Sequence, residues 1–253
     1  MSTLSPKEII AAIKSKHADI KQVLFVGCGA SMSDLYPAYY FILHEANDLQ
    51  TAIITGNEFN YDAPKNIGPQ TIVITASLGG TTPESVEATK NAVKWGANVV
   101  TLSHNPEAPI VKAAEYSIVH GFEESYSAKV QKMTIALKLA VEIKQQFEGY
   151  DYYDEAQKAF DGIYGLIDEQ IQHVGPEAKK FGELYKNDST IHVLASGASW
   201  GAGYATGSFL FEEMQWITAP VHNSGEYFHG PFELTEKDAP YLLFANAVSY
   251  THL

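Results

Sequence analysis

The chain has 253 residues, 45% of them apolar, a formal net charge of −13 and a single cysteine, Cys28. That balance describes a globular protein with a sizeable core and argues against nucleic acid, whose binding is dominated by basic contacts to phosphate. No apolar run approaches the ~18 residues of a membrane span, the N-terminal residues lack a signal-peptide pattern, and one cysteine fits a reducing cytoplasm rather than a disulfide framework.

In chain order, Ser5-Pro6-Lys7-Glu8 reads as a helix start, with Ser at the cap, Pro in the first turn and Glu three residues after the cap. This helix is expected to reach Lys16. Val23 to Val26 is a fully apolar strand, followed by a glycine loop and a helix through Tyr36, Tyr40 and Leu43. Thr51 to Thr55 and Thr71 to Ala76 are the next strands, and Pro83 opens a helix to Trp95. Strands Val99 to Ser103 and Tyr116 to Val119 follow, then a long helix from Ser127 to Phe147. Continuous apolar strands alternating with helices predict a parallel sheet covered on both faces. The acidic, tyrosine-rich stretch Tyr150 to Glu155 reads as a connection, and two linking helices are expected up to Leu184. A second unit then opens with Ile191 to Leu194.

That second unit repeats the first at a fixed offset of 168 residues. The run Val26-Gly27-Cys28-Gly29-Ala30-Ser31 returns in Ala195-Ser196-Gly197-Ala198-Ser199, Glu45 maps onto Glu213, and Glu58-Phe59 onto Glu226-Tyr227. Such self-similarity is an architectural signal. It divides the chain into domains 1–150 and 151–253, and predicts a strand from Tyr241 to Ala245. The strands and long helix that complete the first copy have no counterpart beyond it. The second unit is therefore expected to be cut short, and Val248 to Leu253 stand as either native sequence or residues foreign to the natural protein.

In open parallel sheets ligands bind beyond the carboxyl ends of the strands. Three loops fall there: Gly27 to Ser33, the hydroxyl-rich Ser77 to Thr82 running into the helix at Pro83, and Ser103-His104-Asn105-Pro106. All 17 basic residues are lysines. A phosphorylated ligand would then rest on backbone N–H groups, hydroxyls, helix N-termini and a lysine, without the bidentate guanidinium fork. The loops match neither a P-loop nor a dinucleotide fingerprint. Cys28 reads as a small residue in a tight turn, since no His-Asp arrangement activates it.

The second copy carries acid–base candidates. Glu213 lies in Phe211-Glu212-Glu213-Met214-Gln215-Trp216. Either one glutamate of the pair is directed inward beside Met214 and Trp216, with a raised pKa suited to proton transfer, or both are exposed at a helix terminus. His229, where the first copy has Tyr61, is held in a tight turn by Gly230-Pro231. A zinc set of His222, Glu226 and His229 is discounted, because no HExxH or cysteine pattern accompanies it.

Gly27-Cys28-Gly29-Ala30-Ser31, Ser77-Leu78-Gly79-Gly80-Thr81-Thr82-Pro83-Glu84-Ser85 and Ser224-Gly225-Glu226-Tyr227-Phe228-His229-Gly230-Pro231 resemble the sugar isomerase (SIS) family, over Lys21 to Ala247. The duplicated form looks like the fructosamine-6-phosphate deglycase branch, similar to the isomerase half of glucosamine-6-phosphate synthase. The family's second-loop pattern, Ser-x-Ser-Gly-x-Thr, has Gly79 here in place of the second Ser. The resemblance implies an α/β fold of two tandem, flavodoxin-like units in three αβα layers, the second incomplete. It implies a phosphate held by Gly29, Ser31, Ser77, Gly80 and Thr82, and a catalytic pair Glu213 and His229. Glu226 and Lys129 are further candidate substrate contacts. No metal or organic cofactor is implied, and the expected partners are a phosphorylated sugar-amine and a second copy, with a site built across subunits. The implied reaction is hydrolysis of an Amadori product to glucose 6-phosphate and an amine. The alternatives are an amino-sugar-phosphate isomerase or deaminase, and a non-catalytic sugar-phosphate sensor. A chain cut short in its second unit is expected to bind ligand poorly and turn over little.

Overall fold

Runs of β-branched and aliphatic residues become five parallel strands: β1 (Gln22–Gly27), β2 (Gln50–Thr55), β3 (Thr71–Ala76), β4 (Asn98–Ser103) and β5 (Tyr116–Val119). They pair in the order β2-β1-β3-β4-β5. In this computed structural model, residues 4–246 are described, so Val248 to Leu253 lie outside the described residues. The chain falls into two units, Met1–Asp168 and Glu169–Leu253.

Alternate residues of each central strand feed opposite faces of the first sheet. Val23 and Phe25 of β1 and Ile72 and Ile74 of β3 face α1 (Pro6–Lys16), α2 (Ala30–Glu45) and α7 (Gln131–Phe147), through Ile9, Ile13, Leu35, Ile42, Leu139 and Ile143. Leu24, Val26 and Val73 face the other way, onto Phe59 of α3 (Gly56–Asp62) and Ala88 and Ala92 of α4 (Pro83–Lys94). Full burial of each such aliphatic or aromatic side chain stabilises by about 1.5–3 kcal/mol, so these two layers dominate the fold's stability. The short α5 (Pro109–Ala113) follows β4. The long helix expected from Ser127 is interrupted at Val130, giving α6 (Tyr126–Lys129) ahead of α7.

One 33-residue helix, α8 (Tyr153–Tyr185), stands where two linking helices were expected. Pro176 lies inside it; a proline removes one backbone N–H and one helical bond, and here the helix continues past that loss. The division between units falls inside α8 rather than at 150/151, because the start of α8 packs on the first unit. Phe160 is buried with the Lys138 ammonium 5.3 Å from its ring centre, and the Tyr153 hydroxyl donates to Glu142 Oε1 at 2.6 Å.

The second unit has three parallel strands, β6 (His192–Ala195), β7 (Val221–Asn223) and β8 (Tyr241–Leu243), in the order β7-β6-β8. Its register copies the first sheet. Gly27 lies opposite Thr55 and Ala195 opposite Asn223; Leu24 lies opposite Val73 and His192 opposite Tyr241. Gly29 and Gly197, which start the helices after β1 and β6, share a left-handed backbone with φ of 57° and 55°. α9 (Trp200–Ala205) and the π-helical segment Thr206–Glu213 occupy the place of α2. One face of this sheet packs Val193 against Phe211, Ile217 and Ala219. The other carries a cavity of about 490 Å³ lined by Leu194, Tyr227, Phe228, Phe232, Tyr241 and Leu243. At the matching positions of the first unit, Val26, Phe59 and Val73 are covered by Ala88 and Ala92 of α4.

Candidate active site

The strand order of the first sheet reverses between β1 and β3, and Gly27 lies opposite Ala76 at their carboxyl ends. The loops that leave these residues therefore begin side by side at the switch point, where open α/β sheets bind ligands. The second loop is tightly held. Leu78 O accepts from the His104 backbone N–H at 2.9 Å and from Ser103 Oγ at 3.1 Å, and Gly80 O accepts from the Ile110 N–H at 3.2 Å. No backbone carbonyl takes the N–H groups of Gly79 to Thr82 among the described residues. With carbonyls tied down and N–H groups free, the loop has the polarity of an anion-binding nest.

Gly80 is required at that point. Its φ is 69°, and a Cβ there would stand 2.3 Å from Ala108 Cβ and 2.8 Å from Ser103 Oγ. The buried Ser77 hydroxyl and that of Thr82 lie 3.0 Å apart, beside the first turn of α4, whose N-terminus favours negative charge. The glycine loop approaches the same helix, with Ser85 Oγ 3.6 Å from Cys28 Sγ. The structure thus brings Gly29, Ser31, Ser77, Gly80 and Thr82 to one edge of the first unit.

Ser31, in the first turn of α2, is tied to residues that sequence reading did not name. Lys132 Nζ donates to Ser31 Oγ at 2.9 Å and pairs with Asp34 Oδ2 at 2.9 Å. The lysine is 4% exposed. Burial pushes the Asp34 carboxyl above its ordinary range, and Lys132 opposes that rise. A signal for Lys132 exists in the sequence: it falls on the same helical stripe as the buried Ala136, Leu139, Ala140 and Ile143 of α7. Lys129, by contrast, is exposed and holds its ammonium 4.6 Å from the centre of the Phe122 ring. Nearby, His104 Nδ1 lies 2.9 Å from the His120 carbonyl, and burial lowers the His120 pKa.

In the second unit Glu213 ends the π-helical segment and is exposed, as are Glu212, Met214 and Trp216. Trp216 is 90% exposed. The inward-facing glutamate among apolar groups is therefore not what the structure has. Glu212 Oε1 accepts the Ala219 N–H at 3.1 Å, which ties the segment's end to the start of the next strand. Trp216 turns the chain with φ of 59°, a left-handed conformation unfavourable for a bulky residue. His229 and Glu226 are exposed in the 3₁₀ turn after β7, where the His229 N–H donates to Glu226 O at 2.9 Å.

Glu213 and His229 stand at opposite edges of the second sheet. The helical segment runs back from the carboxyl end of β6, so Glu213 precedes Thr218, which bridges Thr190 at the amino edge. His229 follows Asn223 at the carboxyl edge. The strand path from Thr218 to Asn223 spans roughly 17 Å. Among the described residues, no group of three or more His, Cys, Asp or Glu side chains is arranged to hold a metal, and no helix is long and apolar enough to cross a membrane.

The SIS domain profile matches residues 17–142. Fructosamine deglycase FrlB of Bacillus subtilis is 28% identical over 228 residues, covering 90% of this chain and 70% of that protein. A fructoselysine 6-phosphate deglycase of Escherichia coli O157:H7 is 24% identical, covering 88% of this chain and 65% of its own length. The chain thus spans about two thirds of these curated relatives. A crystal structure from Salmonella typhimurium LT2, assigned as a phosphosugar isomerase, superposes with a TM-score of 0.90 at 36% identity, covering 96% of this chain and 74% of that one.

Proposed function

The chain belongs to the SIS-domain family, and on that premise we propose that it is a deglycase of phosphorylated Amadori products, releasing glucose 6-phosphate and an amine. The observation that carries this reading is the loop Ser77 to Thr82, with its paired hydroxyls, its free N–H groups and its place at the switch point. Such a cradle holds a phosphate without arginine. The names of the two curated relatives point the same way.

In this reading Ser31, Ser77, Thr82 and the backbone at Gly29 and Gly80 hold the phosphate. His229 transfers a proton at the ring oxygen and opens the sugar. Glu213 takes the C1 proton of the open-chain ketoamine, giving an enolamine, and returns a proton at C2 to give the imine of glucose 6-phosphate. Water adds at C1, the C1–N bond breaks, and the amine leaves. Exposure of Glu213 and His229 at opposite sheet edges favours a site completed by a second copy, where each is covered on association.

The test uses a version of the chain extended to a complete second sheet, incubated separately with fructoselysine 6-phosphate and fructose 6-phosphate. Glucose 6-phosphate should form mainly from the first. Glu213→Gln should lower turnover by at least ~100-fold, the scale of a general acid–base group, with little change in binding. Glu212→Gln should be mild, since its amide oxygen still accepts the Ala219 N–H. Preferential turnover of fructose 6-phosphate would favour the isomerase, and a larger loss in Glu212→Gln would reassign the acid–base group.

A further inference from the structure

We propose that Lys132 is a positioning residue for the sugar-phosphate site, acting through Ser31. The inference rests on the reading that Ser31 contacts the sugar phosphate. An ammonium has donors and no acceptor, so its 2.9 Å contact fixes Ser31 Oγ as the acceptor of that bond. The Ser31 hydroxyl proton is then turned away from Lys132. An ordinary serine hydroxyl can accept as well as donate; here the ammonium already occupies the accepting side, which leaves the hydroxyl proton to donate to an anion.

The placement of Lys132 is costly and is offset locally. It sits in the first turn of α7 and reaches the first turn of α2, so two helix N-termini point positive partial charge at one buried cation. Asp34, three residues after Ser31 and on the same face of α2, neutralises it at 2.9 Å. A lysine serving packing alone would be replaced there by an apolar residue at no such cost, as Ala136 and Leu139 are on the same stripe. The other buried lysine of α7, Lys144, pairs with Glu148 and touches no loop of the site.

Glucose 6-phosphate titrated into the wild-type chain, Ser31→Ala, Lys132→Met and the double variant tests this by a double-mutant cycle. Because Lys132→Met leaves Asp34 unpaired, Lys132→Met/Asp34→Asn is run beside it, with melting without ligand as the check on folding. Ser31→Ala should weaken affinity by at least ~10-fold, the loss expected for a hydrogen bond to a charged group. Each Lys132 variant should weaken affinity comparably, and adding Ser31→Ala to it should cost nothing further. Asp34→Asn alone, which keeps the lysine's bond to Ser31, should stay within a few-fold of wild type. If Ser31→Ala binds as wild type does, the assignment of Ser31 to the site fails. If Ser31→Ala weakens binding while both Lys132 variants leave it intact, or the losses multiply, the role of Lys132 is overturned.

Discussion

Gly80 is the position of the first unit where one added methyl group should act most strongly. Gly80→Ala forces a Cβ against Ala108 in a backbone with φ of 69°, and strain of this kind costs of order 1–3 kcal/mol. Thermal melting should fall accordingly, and glucose 6-phosphate affinity should fall with it because the loop's N–H groups are displaced. Ser77→Ala and Thr82→Ala should leave melting nearly unchanged while weakening the same ligand by about 10-fold or more. Unchanged affinity in both would remove the phosphate from this loop. The geometry of this loop was legible because six neighbouring positions, Ser77 to Thr82, carry the whole pattern. Lys132 was not, since its contact to Ser31 joins two helices far apart in sequence. The surroundings of Glu213 were misread for a different reason. A π-helical segment closes bonds five residues back, as from Met214 N to Phe209 O, which rotates side chains away from the faces a 3.6-residue wheel assigns.

At the scale of elements, the duplication was read from a handful of residues and reappears as shared strand order and register. It is legible because β-register is fixed by which residues alternate inward, and both copies keep that alternation. The helix α8 was harder, because Gly175-Pro176 normally reads as a break. A proline in a helix interior costs up to about 3 kcal/mol relative to alanine, and Pro176 is exposed. Pro176→Ala is therefore expected to raise the melting temperature of the second unit. A lower melting temperature would show instead that the local geometry at Pro176 is needed for the Phe181 and Tyr185 packing beyond it.

At the scale of the whole molecule, the account places phosphate chemistry in one unit and acid–base residues in the other, with Glu213 and His229 on separate edges of their sheet. If a second copy unites them, mixing Glu213→Gln with His229→Ala should restore activity that neither has alone. Random pairing into dimers would regenerate one intact site in each mixed dimer, or about a quarter of wild-type activity. No recovery on mixing would mean that both groups act within one chain. The 253-residue chain itself should turn over little beside a version with a complete second sheet, because Leu194, Tyr241 and Leu243 line an open apolar cavity rather than a covered core. The most direct measurement follows the proton that Glu213 moves, using fructoselysine 6-phosphate, the extended chain and deuterated water. The account predicts glucose 6-phosphate and lysine in equal amounts, with deuterium at C2 of the sugar to the extent that the Glu213 proton exchanges before it is returned, and loss of both products in Glu213→Gln. Fructose 6-phosphate as the product, or undiminished glucose 6-phosphate formation by Glu213→Gln, would contradict it.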